Sequence, residues 1–219
     1  MKISKDIYMV GGSGLSHPYD CSVYLVDAGD LVLIDCGAGM SFAEILDNIE
    51  QSGLDCAKLK AILVTHAHID HIGALNQFRE EFGVQIIAHD LDADRIESGI
   101  GVGADMYDID YIPCQVDVRL KSDAERLQFR RYEINVMHIP GHTPGSIAAY
   151  VDTDDGRVLF GQDIHGPYLP ELGADIRKAI QSLHKLIDIR ADILCEGHFG
   201  IYRPAKMVEK YIRGYLNSL

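Results

Sequence analysis

Two β-sheets packed face to face, with helices on both outer faces, is the α/β architecture this sequence predicts. Three observations predict it. Apolar runs of strand length alternate with segments of helical period. Each half of the chain runs strands and then a helix, and such elements bury their apolar faces only in stacked layers. No low-complexity segment or long linker divides the chain, so residues 1–219 read as a single domain.

The elements follow in order. Val23–Val26 and Leu31–Ile34 flank Asp27-Ala-Gly-Asp30, a hairpin pattern. Phe42, Ile45, Leu46 and Ile49 repeat at helix spacing over 41–52, with Ser41 as N-cap. Lys60–Val64 is a short apolar run, a buried strand. The spacing predicts one helix over His71–Phe82, stopped by Gly83. Val84–Ala88 reads as a strand and Asp90–Ser98 as a short acidic helix. Strands are then expected at Val116–Leu120, Leu127–Phe129, Tyr132–His138, Ser146–Val151 and Val158–Phe160. Arg177–Ile187 is a helix, Ile193–Cys195 a last strand, and Ala205–Leu216 a closing helix entered through Pro204.

Composition narrows the function. Hydrophobic residues make up 47% of the chain, which supplies a substantial core and argues against disorder. The formal net charge is −13 with no Lys/Arg-rich run, so a nucleic-acid partner is not expected. The five cysteines are odd in number and form no CxxC pair; a reducing, cytoplasmic setting fits best. The start lacks the apolar core of a signal peptide, and no apolar run reaches membrane-spanning length. The expected partner is therefore a small-molecule substrate, with no nucleic acid and no membrane; a homodimer is compatible with everything read so far.

The most informative string is Thr65-His66-Ala67-His68-Ile69-Asp70-His71. Neutral imidazole and carboxylate are the groups that hold Zn²⁺, Mn²⁺ or Fe²⁺. In an extended segment alternate side chains share a side, so His66, His68 and Asp70 can converge while His71 turns toward a second ion. Three later segments share one layout, a strand ending in Gly or Pro with a ligand at the break: His138-Ile-Pro-Gly-His142-Thr-Pro-Gly-Ser146, Leu159-Phe-Gly-Gln-Asp163 and Leu194-Cys-Glu-Gly-His198. Five histidines and two aspartates would suit two ions with one shared carboxylate.

In these motifs the chain resembles the metallo-β-lactamase superfamily, within it the hydroxyacylglutathione hydrolase (glyoxalase II)-like and lactonase-like branch. The resemblance runs from Val23 to the final helix. It implies an αββα sandwich of two mixed sheets with metals at one edge. It implies that His66, His68 and His142 hold one ion, that Asp70, His71 and His198 hold the other, and that Asp163 bridges them. The implied cofactors are two divalent ions, zinc first, with iron and manganese accepted by the same ligands. The implied activity is hydrolysis of a small ester, thioester or lactone by a metal-bridging hydroxide, with Asp70 orienting its ion and relaying a proton.

The alternative is a mononuclear non-haem iron enzyme similar to persulfide dioxygenases, using His66, His142 and Asp163. A non-catalytic metal-binding domain is disfavoured because three-ligand sites leave an open position. The chain ends one helix after the last ligand, and the helical domain that contacts glutathione in glyoxalase II is not read, so a glutathione thioester is not the expected substrate. His165 and Tyr168 follow Asp163 closely and are expected to bind substrate. Cys195 reads as an apolar strand filler. The Gly11–Pro18 loop with His17, followed by Tyr19, is expected at the surface near the site, and residues 104–110 as a solvated loop that could form part of a lid.

Overall fold

A computed structural model describes all residues 1–219. Strands β1 (Lys2–Ser4), β2 (Ile7–Gly11), β3 (Val23–Asp27), β4 (Leu31–Ile34), β5 (Leu59–Leu63), β6 (Gln85–His89) and β7 (Val118–Leu120) form one sheet in sequence order. Its first three pairings are antiparallel and its last three parallel. The second sheet holds β8 (Ala124–Gln128), β9 (Glu133–His138), β10 (Ile147–Thr153), β11 (Gly156–Gln162), β12 (Ile193–Glu196) and β13 (Ile201–Tyr202). It too is mixed, since β11 and β12 run parallel while the other pairs are antiparallel.

Period-two alternation sorts the side chains into layers. On β4, Leu31 and Leu33 join the core beneath the first-half helices, while Val32 and Ile34 point between the sheets. On β11, Val158 and Phe160 enter the inter-sheet core and Leu159 the core beneath the second-half helices. The first outer layer is α1 (Phe42–Gln51), α3 (Leu75–Phe82) and α4 (Asp90–Ser98), through Ile45, Phe78 and Ile96. The other is α5 (Ile176–Asp188) and α6 (Ala205–Leu216), through Leu183, Leu186 and Ile212. The expected αββα sandwich of two mixed sheets is what forms. Cys195 is fully buried in the inter-sheet core, as a strand filler should be.

Three local expectations are corrected. The helix expected over His71–Phe82 is two pieces, α2 (Ile69–Ile72) and α3. The chain breaks at Gly73, where the backbone lies so close to Ala38 that a Cβ would meet its carbonyl carbon at 2.1 Å. Ser41 occupies the N-cap position of α1 but makes no capping bond; its hydroxyl bonds the Asp20 carboxylate instead. Strands β1 and β13, short and at sheet edges, were not read, and neither was β2, which lies between β1 and β3. No helix is long and apolar enough to cross a membrane.

Candidate metal centre

The seven predicted ligands come from both sheets and meet at one rim. His66 and His68 lie on the loop leaving β5, and Asp70 and His71 on α2 just beyond. His142 lies on the loop between β9 and β10, Asp163 directly after β11, and His198 in the turn between β12 and β13. Ligand atoms of His66, His68 and His142 lie within 4.8 Å of one another, as do those of Asp70, His71 and His198. Asp163 stands between the groups. Its Oδ2 is 3.4 Å from both His142 Nε2 and His198 Nε2, and its Oδ1 is 3.4 Å from His71 Nε2.

Asp70 differs from the residue-by-residue expectation. It does not share a side with His66 and His68 as an extended chain would have it. The backbone turns helical at Ile69, so Asp70 Oδ2 faces His198 Nε2 at 3.1 Å and His71 Nε2 at 3.6 Å.

The donor set fits a cation. His71 Nε2, both ring nitrogens of His142 and Asp163 Oδ1 are buried without a hydrogen-bond partner. Buried polar atoms are rarely left so, and each is costly unless water or an ion satisfies it. The electrostatics agree. Burial drives the His66 imidazole well below its ordinary range and takes His68 down to about 3, with His71 and His142 respectively adding to it. Burial opposes ionisation of Asp163, yet the facing imidazoles, His71 first and then His142 and His198, hold its carboxyl well below the carboxylate range. Burial likewise opposes a charge on His198, but the bonds to Asp163 and Asp70 lift it to about 10. Without a cation, protons on imidazole balance the two carboxylates.

Three carboxylates that sequence reading passed over hold the cluster in place. Asp35, 3% exposed, accepts from Thr65 N and Thr65 Oγ1 at 2.7 Å each and lies 2.8 Å from His71 Nδ1. A carboxylate on Nδ1 keeps the proton there and leaves Nε2 aimed at the cluster. Asp92, on α4, ties two ligand loops together. It accepts from Ala67 N at 3.0 Å, from Thr143 Oγ1 at 2.6 Å and from Gly145 N at 2.8 Å. Glu196, fully buried, accepts from His198 N at 2.7 Å and Phe199 N at 2.8 Å, and holds His165 Nδ1 at 2.9 Å. The backbone is strained at Asp35 itself, with φ +60°, and at Gln162 just before Asp163, with φ +51°. Asp35→Asn is expected to weaken metal binding by about 10–100-fold, the usual effect of removing a partner behind a ligating histidine. Competition with a chromophoric chelator measures it; unchanged affinity would show that Asp35 serves the loop and not His71.

A cavity of about 370 Å³ opens over the cluster, lined in part by Asp70, His142, Asp163 and His198. His165 lines it, whereas Tyr168 does not: its hydroxyl donates to Ile164 O and its ring stands edge-on, 6.1 Å from His142. Met106 and Tyr107, from the stretch read as a lid, form one wall. Ser13 of the glycine-rich loop also lines it, and Tyr19 packs edge-on to Tyr107. His17 packs on Tyr19 and does not line the cavity.

Comparison with known proteins agrees with the fold. The chain is 28% identical to the hydroxyacylglutathione hydrolase GloC of Haemophilus influenzae, over 91% of this chain and 93% of that protein. It superposes on BJP-1, a subclass B3 metallo-β-lactamase of Bradyrhizobium japonicum, with a TM-score of 0.79 at 25% identity, covering 98% of this chain and 88% of that one. The metallo-β-lactamase GOB-18 of Elizabethkingia meningoseptica gives 0.80 at 25% identity, covering 100% and 88%. The family model for the metallo-beta-lactamase superfamily matches residues 18–198, the span that carries every candidate ligand. With its four-layer fold and a histidine and aspartate cluster fitted to divalent cations, this chain belongs to the metallo-beta-lactamase superfamily of metallo-hydrolases.

Proposed function

We propose that the protein is a dinuclear metal-dependent hydrolase of a small ester, thioester or lactone. His66, His68 and His142 would hold one ion, Asp70, His71 and His198 the other, with Asp163 shared. The observation that carries this reading is the Asp163 carboxylate between two sets of three ligands, in a cluster with buried nitrogens left over. The similarity to a hydroxyacylglutathione hydrolase supports hydrolysis of an acyl bond. When bound, such a pair of ions supplies a water that ionises near neutrality and an electrophile for the carbonyl oxygen.

The chain's own side chains do the rest. Asp35 and Glu196 fix the orientation of His71 and of the His198 turn. Asp70 sits at the cavity floor against His198 and is the group proposed to hold a proton during turnover. His165, with Nδ1 committed to Glu196, keeps Nε2 as its remaining polar atom for substrate.

Dialysis against a chelator is expected to abolish turnover, and adding back Zn²⁺, Mn²⁺ or Fe²⁺ to restore it. Elemental analysis of the active protein is expected to find two ions per chain. Inertness of the metal-replete protein toward esters, thioesters and lactones alike would overturn the proposal. One iron per chain with oxygen consumed on a persulfide would replace it with the dioxygenase alternative.

A further inference from the structure

Relatives of one fold differ in what the walls of the cavity accept, and here the walls have a definite character. Val102, Met106, Tyr107, Leu169, Leu172 and Phe199 line the cavity beside the candidate ligands. Met106 and Phe199 are 61% and 59% exposed, so large apolar groups stand in water at this cavity. Isolated exposed apolar side chains need no explanation, but a cluster around a cleft marks a binding surface.

No lysine and no arginine lines the cavity. The one guanidinium that reaches this wall, that of Arg95, donates to Leu172 O at 2.7 Å and is not part of the lining. The charges beside the lining residues in sequence are acidic and exposed: Asp105 and Asp108 flank Met106 and Tyr107, and Glu171 precedes Leu172. The whole chain carries −13. A substrate carboxylate seated against these walls, away from the candidate ions, would lose water and find no lysine or arginine to pair with, and the acidic residues around the mouth would repel its approach.

Building on the hydrolase reading above, we infer that the site takes uncharged acyl donors with an apolar body, namely esters, thioesters or lactones bearing an aliphatic or aromatic group. Substrates with a free carboxylate on the acyl or leaving group, glutathione thioesters among them, are rejected by the walls and not by the reacting centre.

The test uses the metal-loaded protein and matched pairs. One pair is a single acyl group on N-acetylcysteamine and on glutathione. The other is a lactone with an alkyl side chain and its ω-carboxylate counterpart. The expected result is kcat/KM higher by about tenfold or more for the uncharged member of each pair, the scale of one unpaired charge against an apolar wall. Equal or reversed preference would overturn the inference while leaving the hydrolase reading intact. Met106→Lys, at an exposed position that the fold does not need, is expected to raise kcat/KM for the anionic member by about tenfold. No gain would also count against the inference. If neither member of either pair were hydrolysed, the hydrolase reading would fail. Calorimetric binding of the corresponding methylene ketones would still decide the question of the walls: tighter binding of the anionic ketone overturns the inference, and tighter binding of the uncharged one upholds it.

Discussion

Asp163→Asn is expected to lower kcat/KM by about 10³-fold, because the ions' share of transition-state stabilisation is several kcal/mol and each 1.4 kcal/mol is tenfold. The substitution keeps the shape and removes the charge. Oδ2 faces His142 of one group and His198 of the other, and Oδ1 faces His71, all at 3.4 Å; an amide offers one oxygen and a pair of N–H donors in their place. The donors would point at atoms that have lone pairs to give to a cation, so, on the proposed dinuclear site, metal content is expected to fall toward one ion per chain. There is no room for the side chain to swing away. A Cβ at Gly197 would already lie 2.0 Å from Asp163 Oδ1, so the neighbouring loop closes over this carboxylate directly. Steady-state kinetics with elemental analysis on the same preparation checks the expectation. Two ions retained, with activity within tenfold of the parent, would show that Asp163 is not the shared ligand.

The second large effect lies outside the cluster. Asp92→Ala removes the acceptor of three hydrogen bonds and leaves Ala67 N and Gly145 N buried with nothing to bond, while the Thr143 hydroxyl keeps only Ser146 Oγ at 2.8 Å. Bonds to a charged acceptor are worth about 1.5–3 kcal/mol each, and no longer having to bury the carboxylate offsets part of the three lost, so the net loss is about 4 kcal/mol. At roughly 2–4 °C per kcal/mol for a chain of this size, Tm is expected to fall by about 10 °C. Because the same carboxylate joins the His66 loop to the His142 loop, metal affinity should fall by about 10–100-fold as well. Asp92→Asn separates the two effects. It retains one acceptor oxygen but sets an NH₂ against a donor, so it should recover part of the stability and little of the affinity. Thermal unfolding of the metal-free and metal-loaded proteins reads both quantities. A Tm drop of only a degree or two would mean that the loops hold their places without this tie.

The site was legible in sequence where its chemistry is local. His66, His68, Asp70 and His71 announce themselves by density, and His142, Asp163 and His198 by the Gly and Pro breaks that place ligands at strand ends. The supporting carboxylates were not legible, because nothing near them in sequence reveals their partners. Asp92 sits in a helix whose neighbours Asp90 and Asp94 face water or Arg119, and one acidic residue among several carries no mark of burial. Asp35 had a usable signal. It ends an apolar strand that runs parallel to β5, and Ile34 pairs with Leu63, so the following residues, Asp35 and Thr65, had to come close. The fold's layers followed from the short apolar runs at β4, β5 and β11 and the helical spacing between them. The edge strands and the break at Gly73 did not, since the first are too short to show a period and the second is set by Ala38, distant in sequence.

The ligand groups are shared out unequally between the sheets: four of the seven side chains lie in the stretch after β5, and the other three hang on loops of the second sheet. Each of the two proposed ligand trios, His66 with His68 and His142, and Asp70 with His71 and His198, draws on both halves of the chain. An ion lodged at the rim would act as a rivet through the sandwich, adding its binding energy to the adhesion of one sheet to the other. Starving the cell of metal would then do more than silence the protein; it would leave the seam between the layers as the first place to open.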